Sequence, residues 1–243
     1  HTPTRRQRQM CIRDSSITVQ DYISRKIKVW GTKPYTNNRD DVEYVLCDDE
    51  EHLLRCFLDY WTTNFPDILT GWNVELYDIP YICGRLERLF GEKEMKQISP
   101  WGIVYREDIE IKGRQQILYN IFGINVVDYM DLYKKFTYTN QESYRLDHIA
   151  FVELGQKKVD HSEFENFKQF YTNDWQKFID YNIVDVELVI RLEEKMKLLE
   201  LAVALAYDAK VNIRDVYYQV RMWDTIIYNL SLIHISEPTR PTP

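Results

Sequence analysis

Two aspartates far apart in the chain have surroundings that surface carboxylates usually lack. Asp185 follows Tyr181 by four residues in a helical run, so the two share one helix face about a turn apart. Val184 and Val186 flank it, and Leu188 and Val189, three and four residues on, put apolar bulk on its own face. A lone helical Asp is commonly solvated. This one is expected to look inward, where a carboxylate needs a cation or hydrogen-bond donors. Asp78 stands between a short apolar run, Ile68 to Trp72, and the helically spaced residues Ile79, Ile82, Cys83, Leu86, Leu89 and Phe90, which Gly91 ends. Taken alone it reads as a helix N-cap. Taken together, Asp78 and Asp185 are the pair expected to act as metal ligands.

Other charged candidates have plainer readings. Asp128 and Asp131 read as a strand-end Asp followed by a capping Asp. His52, His148 and His161 show no zinc-like or general-base spacing. Lys134 and Lys135 could touch phosphate, though a solvated pair is the default.

The elements that must position these residues follow from periodicity. Ile17 to Val19 and Ile27 to Trp30 alternate apolar with polar residues, as half-buried antiparallel strands do. Val42 to Cys47 is a third strand. Asp48 and Asp49 can cap a helix whose face is Leu53, Leu54, Phe57, Leu58 and Trp61. Ile68 to Trp72 is a buried strand, with Pro80 in the first turn of the helix after it. Tyr105 to Phe122, broken at Lys112-Gly113, reads as a hairpin. Ile124 to Val127 is a strand, Leu146 to Leu154 a short helix, and 155 to 172 a polar linker. A long helix starts near Asn173 and buries Trp175, Phe178, Ile179, Val186, Val189, Ile190 and Met196. Three antiparallel strands followed by alternating helices and strands predict an α/β protein with a mixed sheet covered by helices.

The string GWNVELYDIPY, residues 71 to 81, resembles the second exonuclease motif of family B DNA polymerases, above all those of T-even-like tailed phages. Tyr77 stands where most members carry Phe. Tyr181 to Asp185 resembles the third motif, Tyr-x-x-x-Asp. Residues 128 to 149 and 221 to 229 extend the likeness over most of 16 to 229. The resemblance implies a ribonuclease H-like (DnaQ-like) fold and two-metal hydrolysis, by Mg²⁺ or Mn²⁺, of single-stranded DNA 3′ ends. Asp78 and Asp185 would hold the metals, Tyr181 would orient the water or phosphate, and Asn73 and Tyr77 would hold the frayed end. It further implies primer-template DNA, a sliding clamp and replisome proteins as partners, and the cytoplasm of an infected bacterial host as the setting. The hairpin near Gly113 matches in position one that helps separate primer from template.

The family's first motif, Asp-x-Glu on the first strand, has no counterpart, because Asp21 lacks a Glu two positions on. Two divalent ions at ~3.8 Å repel by on the order of 17 kcal/mol at an effective dielectric near 20. Four carboxylates offset that repulsion and two do not, so a domain lacking its first strand is expected to be inactive. A free-standing exonuclease and a non-catalytic single-strand-binding module are the alternatives. Residues 201 to 229, read as a connector toward a polymerase palm, argue against the former, and the presence of both aspartates argues against the latter.

The ends read differently from 16 to 229. Codons for Met10 to Ser15 can be regenerated from the reverse complement of codons for Leu230 to Ser236, as expected of translated sequencing adapters. Residues 1 to 15 and 230 to 243 are accordingly expected to form no part of the core, leaving 16 to 200 as the exonuclease domain. The formal charge of −7 includes +3 from residues 1 to 15, four Arg against Asp14, so the remainder carries −10. An acidic piece is a poor generic DNA binder, and DNA contact should be local. Cys47, Cys56 and Cys83 lack metal-ligand spacing and read as buried small residues in a reducing cytosol. No apolar run is long enough to span a membrane.

Overall fold

A computed structural model of the chain describes residues 16–111, 113–155 and 174–236, with Arg114 and 232–236 described by backbone alone. The alternating runs become β1 (Ile17–Gln20) and β2 (Ile27–Gly31), which pair antiparallel with Ile17 opposite Trp30. Their turn is built on Asp21, whose carboxylate accepts from the N–H groups of Ile23 and Ser24, with Arg25 at φ 61° closing it.

The third strand, β3 (Val42–Leu46), corrects the expectation of three antiparallel strands. It pairs parallel to β2, with Ile27 opposite Val42. The intervening residues 32–41 carry the chain back along β2 before β3 begins, which a hairpin cannot do. They are clipped to the long helix α6 (Trp175–Met196). Thr36 exchanges two hydrogen bonds with the Gln176 amide, and Tyr35 Oη donates to Asp180 at 2.7 Å.

Helix α1 (Glu50–Thr63) is capped by Asp49, which accepts from His52 N at 2.8 Å. It buries Leu53, Leu54, Phe57, Leu58 and Trp61, the expected face. Strand β4 (Ile68–Gly71) leads through a loop to α2 (Asp78–Phe90) and the short α3 (Glu92–Met95). Leu89, expected on the buried face of α2, is largely exposed. Strands β5 (Val104–Ile111) and β6 (Arg114–Ile121) form the expected hairpin, with Gly113 at φ 74° in its turn. Strand β7 (Asn125–Asp128) pairs parallel to β4 and runs directly into α4 (Tyr129–Phe136). Helix α5 (Leu146–Leu154) ends at Gly155 in the left-handed region. The predicted linker at 155 to 172, like His161, lies almost wholly outside the described residues.

Helix α6 (Trp175–Met196) starts at the Asp174 cap, which accepts from Lys177 N. Its Phe178, Ile179 and Ile183 pack on Ile27 and Val29 of β2, and its Val189 and Leu192 join Val127 of β7 in a second cluster. Val186, Ile190 and Met196 are only half-buried. Lys197, at φ 54°, ends α6 and turns the chain into α7 (Leu198–Ala209). The kink is organised by Glu193, only 4% exposed. Its carboxylate accepts from Leu199 N, Glu200 N and Tyr129 Oη, satisfying donors that the start of α7 would otherwise bury. The last helix, α8 (Gln219–Ser236), crosses the expected boundary at residue 230, and Leu230 and Ser231 lie exposed on it.

Removing the Glu193 carboxylate strands three donors at once. Glu193→Ala is expected to cost about 3 kcal/mol, with urea unfolding showing a lower midpoint and an unchanged slope.

Candidate active site

The loop from Gly71 to Asp78 is shaped before any chemistry is considered. A Cβ on Gly71 would lie 3.1 Å from Val74 Cβ, so the strand's end packs tightly on its own loop. Asn73 takes φ 65°, a left-handed conformation that Asn adopts more readily than most residues. Tyr77 N then donates to Asn73 O, and Ile79 N to Val74 O. Trp72 anchors the other side, its Nε1 donating to Tyr144 O at 3.0 Å and its ring lying among those of Tyr129 and Tyr133.

The strongest hold comes from Asp128. Gly71 and Asp128 are partners at the ends of β4 and β7, which places the Asp128 carboxylate beside the loop. It accepts from Asn73 N at 3.1 Å, Glu75 N at 3.3 Å and Met130 N at 3.0 Å. Asp128 is therefore both the strand-end residue and the N-cap of α4. Asp131 sits in that helix's first turn and is not the cap, because the chain enters the helix directly from β7 with no intervening loop. Burial pushes the Asp128 carboxyl up to about 6, helped by the nearby Asp131 charge and opposed by the Glu75, Asn73 and Met130 amides. On the far side of the loop, Glu75 pairs with Arg214, which also donates to Asn120 Oδ1 at 2.6 Å.

Asp78 is the first residue of α2. The N-cap is Tyr77, which makes no side-chain capping bond, so Asp78 does not serve as the expected cap. The carboxylate opens onto a cleft, which leaves the residue solvent-accessible, yet it stands deep within the protein's mass. That enclosure pushes its pKa up to about 7, with further upward contributions from the charges of Asp128 and Asp185. Asp185 approaches from α6, half-buried, with its Oδ1 sealed from solvent, as the apolar neighbours in sequence predict. Tyr181, one turn earlier, packs beside the cluster of Phe178, Ile179 and Ile183.

All five residues picked out in sequence, Asn73, Tyr77, Asp78, Tyr181 and Asp185, line this one cleft of about 1900 Å³. Tyr77 offers an exposed ring there. The remaining candidates do not join them. Lys134 pairs with Asp131, Lys135 Nζ donates to Tyr217 O, and His52 belongs to the start of α1. The clamp is not legible in the sequence because the loop amides that Asp128 accepts from, those of Asn73 and Glu75, lie more than fifty residues away.

Oxygen donors suit a hard divalent cation, and a cation would offset both the burial and the lesser carboxylate repulsion that raise Asp78. Among the described residues no group of three or more Asp, Glu, His or Cys is arranged to hold a metal. The pair therefore fits part of a metal site.

Residues 5–149 match the family model described as "DNA polymerase family B, exonuclease domain". The chain is 39% identical over 191 residues to the DNA-directed DNA polymerase of Escherichia phage RB69, covering 78% of this chain and 21% of that protein. It is 36% identical over 190 residues, with the same shares, to that of Enterobacteria phage T4. A DNA polymerase of Choristoneura fumiferana nuclear polyhedrosis virus matches at 28% over 185 residues, 73% of this chain and 17% of that protein. The chain thus spans about a fifth of the length of the two phage relatives.

Two outcomes follow from the geometry. Asp128→Ala leaves three half-buried amides without their acceptor and is expected to cost about 3 kcal/mol, with amide exchange accelerated at Asn73 and Glu75. Asp78 has a folded pKa raised above its unfolded value, so its favourable contribution is complete below pH ~4 and lost as pH rises through ~7. Asp78→Asn is therefore expected to melt higher than wild type at pH 8 without divalent ions, the gap closing toward pH 4 in a series of thermal melts.

Proposed function

The chain belongs to the DNA polymerase family B exonuclease domain, and from that premise we propose that its cleft removes nucleotides from single-stranded DNA 3′ ends during proofreading. The observation that carries this reading is the convergence of Asp78 and Asp185, from different elements, on the cleft lined by Asn73, Tyr77 and Tyr181. The polymerase relatives favour a polymerase-borne domain over a free-standing exonuclease.

Each residue's part follows from its chemistry. Asp78 and Asp185 would hold Mg²⁺ or Mn²⁺, which when bound supplies an activated water and charge stabilisation at the leaving oxygen. Both carboxylates must be ionised for this, so the elevated Asp78 pKa favours action at neutral to alkaline pH. Tyr181 presents a phenol one turn from Asp185, suited to donate a hydrogen bond to the scissile phosphate or to orient the attacking water. The Tyr77 ring offers a stacking surface for an unpaired base. The Asn73 side chain can bond to a sugar or base, with its backbone fixed by Asp128.

Primer-template DNA, a sliding clamp and replisome proteins are the partners we propose for the whole polymerase, acting in the cytoplasm of an infected bacterium. No described helix is long and apolar enough to cross a membrane. Two carboxylates leave a two-metal centre short of negative charge, and we propose that the chain as it stands is a weak nuclease for want of an Asp-x-Glu strand.

A gel assay on a single-stranded, 5′-end-labelled oligonucleotide with Mg²⁺ or Mn²⁺ tests this. Fusing an Asp-x-Glu-bearing strand ahead of Ser16 is expected to raise cleavage at least ~100-fold, and Asp185→Ala in that protein to remove the gain. Robust cleavage by the unextended chain that survives Asp185→Ala would overturn both the missing-motif and the Asp185 assignments.

A further inference from the structure

Glu75 is held at both of its ends. Its N–H donates to the Asp128 carboxylate at 3.3 Å, and its side chain pairs with Arg214. It lies midway between Asn73 and Tyr77, two residues that the same loop brings to the cleft. Glu75, Arg214 and Asn120 stand behind that loop, outside the lining of the cleft, and all three are half-buried. The Arg214 fork is used in two directions. Its Nη2 donates to Glu75 Oε1, and its Nη1 donates to Asn120 Oδ1 of β6 at 2.6 Å. A guanidinium fixed by two partners meets a carboxylate in one orientation, which the point charge of a lysine does not ensure.

The base from which Arg214 reaches is equally firm. It belongs to a 3₁₀ turn, Ile213–Tyr217, whose Ile213 and Val216 are buried in the cluster that holds Val127, Tyr129 and Leu132. Tyr217 Oη donates to Asp128 O at 3.1 Å, and Tyr217 O accepts from Lys135 Nζ at 2.9 Å. Asp128 therefore holds the loop by its carboxylate and the turn by its carbonyl. The charges of Asp128, Asp131 and Glu75 gather about Tyr217, and Arg214 offsets them. A partly exposed ion pair adds little to global stability, so the consequence of this one lies in where it holds the loop.

We propose that Arg214 is a positioning residue for the 3′ end of single-stranded DNA: through Glu75 it sets the loop so that Asn73 and Tyr77 together meet the terminal nucleotide. Arg214 itself does not touch the DNA. This rests on the proofreading reading and adds to it a residue 139 positions from its partner, which no motif marks. Its consequence is opposite to that of simple charge. The chain is acidic, so removing the Glu75 charge strengthens DNA binding if only the overall field matters. If Glu75 is the handle by which Arg214 sets the loop, removing it weakens binding as much as removing Arg214 does.

The test uses the full 243-residue chain and a 5′-fluorescein oligothymidylate of roughly ten nucleotides, with EDTA present so that nothing is cleaved. Fluorescence anisotropy gives Kd, and amide exchange at Asn73, Glu75 and Tyr77 reports on the loop without DNA. Arg214→Gln and Glu75→Gln are each expected to raise Kd about tenfold and to speed loop exchange. The double substitution is expected to do no more than either alone. Melting points should stay within roughly 2 °C of wild type. Exchanging the charges, Glu75→Arg with Arg214→Glu, is expected to bring Kd back to within about threefold of wild type. The Asn120 amide can turn over and offer its NH₂ to the new carboxylate. Tighter binding by Glu75→Gln, no recovery on charge exchange, or a melting point lowered by more than roughly 5 °C in both single variants would overturn the proposal. A wild-type chain that fails to bind the oligonucleotide would overturn the proofreading reading as well. Wild-type binding that is indifferent to both substitutions would overturn only the role of Arg214.

Discussion

The buried carboxylate of Asp128 is the contact on which the rest of the cleft depends. It gathers three amides from two segments, Asn73 and Glu75 from one and Met130 from the other. In doing so it ends β7, begins α4 and fixes the loop between β4 and α2. A carboxylate in this position costs desolvation energy, and the three charge-assisted bonds offset it. Without them the loop keeps only its internal bonds, Tyr77 N to Asn73 O and Ile79 N to Val74 O, and is less firmly tied to β7 and α4.

The same arrangement carries an electrostatic tension. Asp78, Asp128 and Asp185 lie close enough for the first to be raised by the other two. Asp128 is stabilised by backbone donors, and it lies behind the loop and outside the lining of the cleft. Asp78 and Asp185 face the cleft, where negative charge is useful only when a cation is present. A cation bound between them would relieve that tension.

Helix α6 links this centre to the body of the fold. Its first turns are clipped to the 32–41 loop by Gln176 and Asp180, its middle carries Tyr181 and Asp185, and its end is turned by Glu193. Fixing the helix at both ends fixes the azimuth of Asp185, which a helix packed by apolar contacts alone sets less sharply. The helix also spans the β1-β2-β3 and β4-β7 groups, so the position of Asp185 is referred to both.

Local pattern alone determined the apolar face of α1, the hairpin, the bounds of α5 and the inward-looking reading of Asp185, whereas Asn73, Tyr77, Asp78 and Tyr181 became candidates through the resemblance of residues 71 to 81 and 181 to 185 to family motifs. These are short-range statements, since helical spacing and strand alternation depend on residues within a few positions. Only the tertiary structure decided that β3 runs parallel to β2, because the 32–41 loop is held by contacts to residues more than a hundred positions away. Asp128 was likewise legible as a strand end but not as the clamp, since its partners Asn73 and Glu75 meet it only through the pairing of β4 with β7. Periodicity records which side of an element is buried. It carries no record of what lies across the interface, and both the pairing of strands and the meeting of carboxylates are decided there.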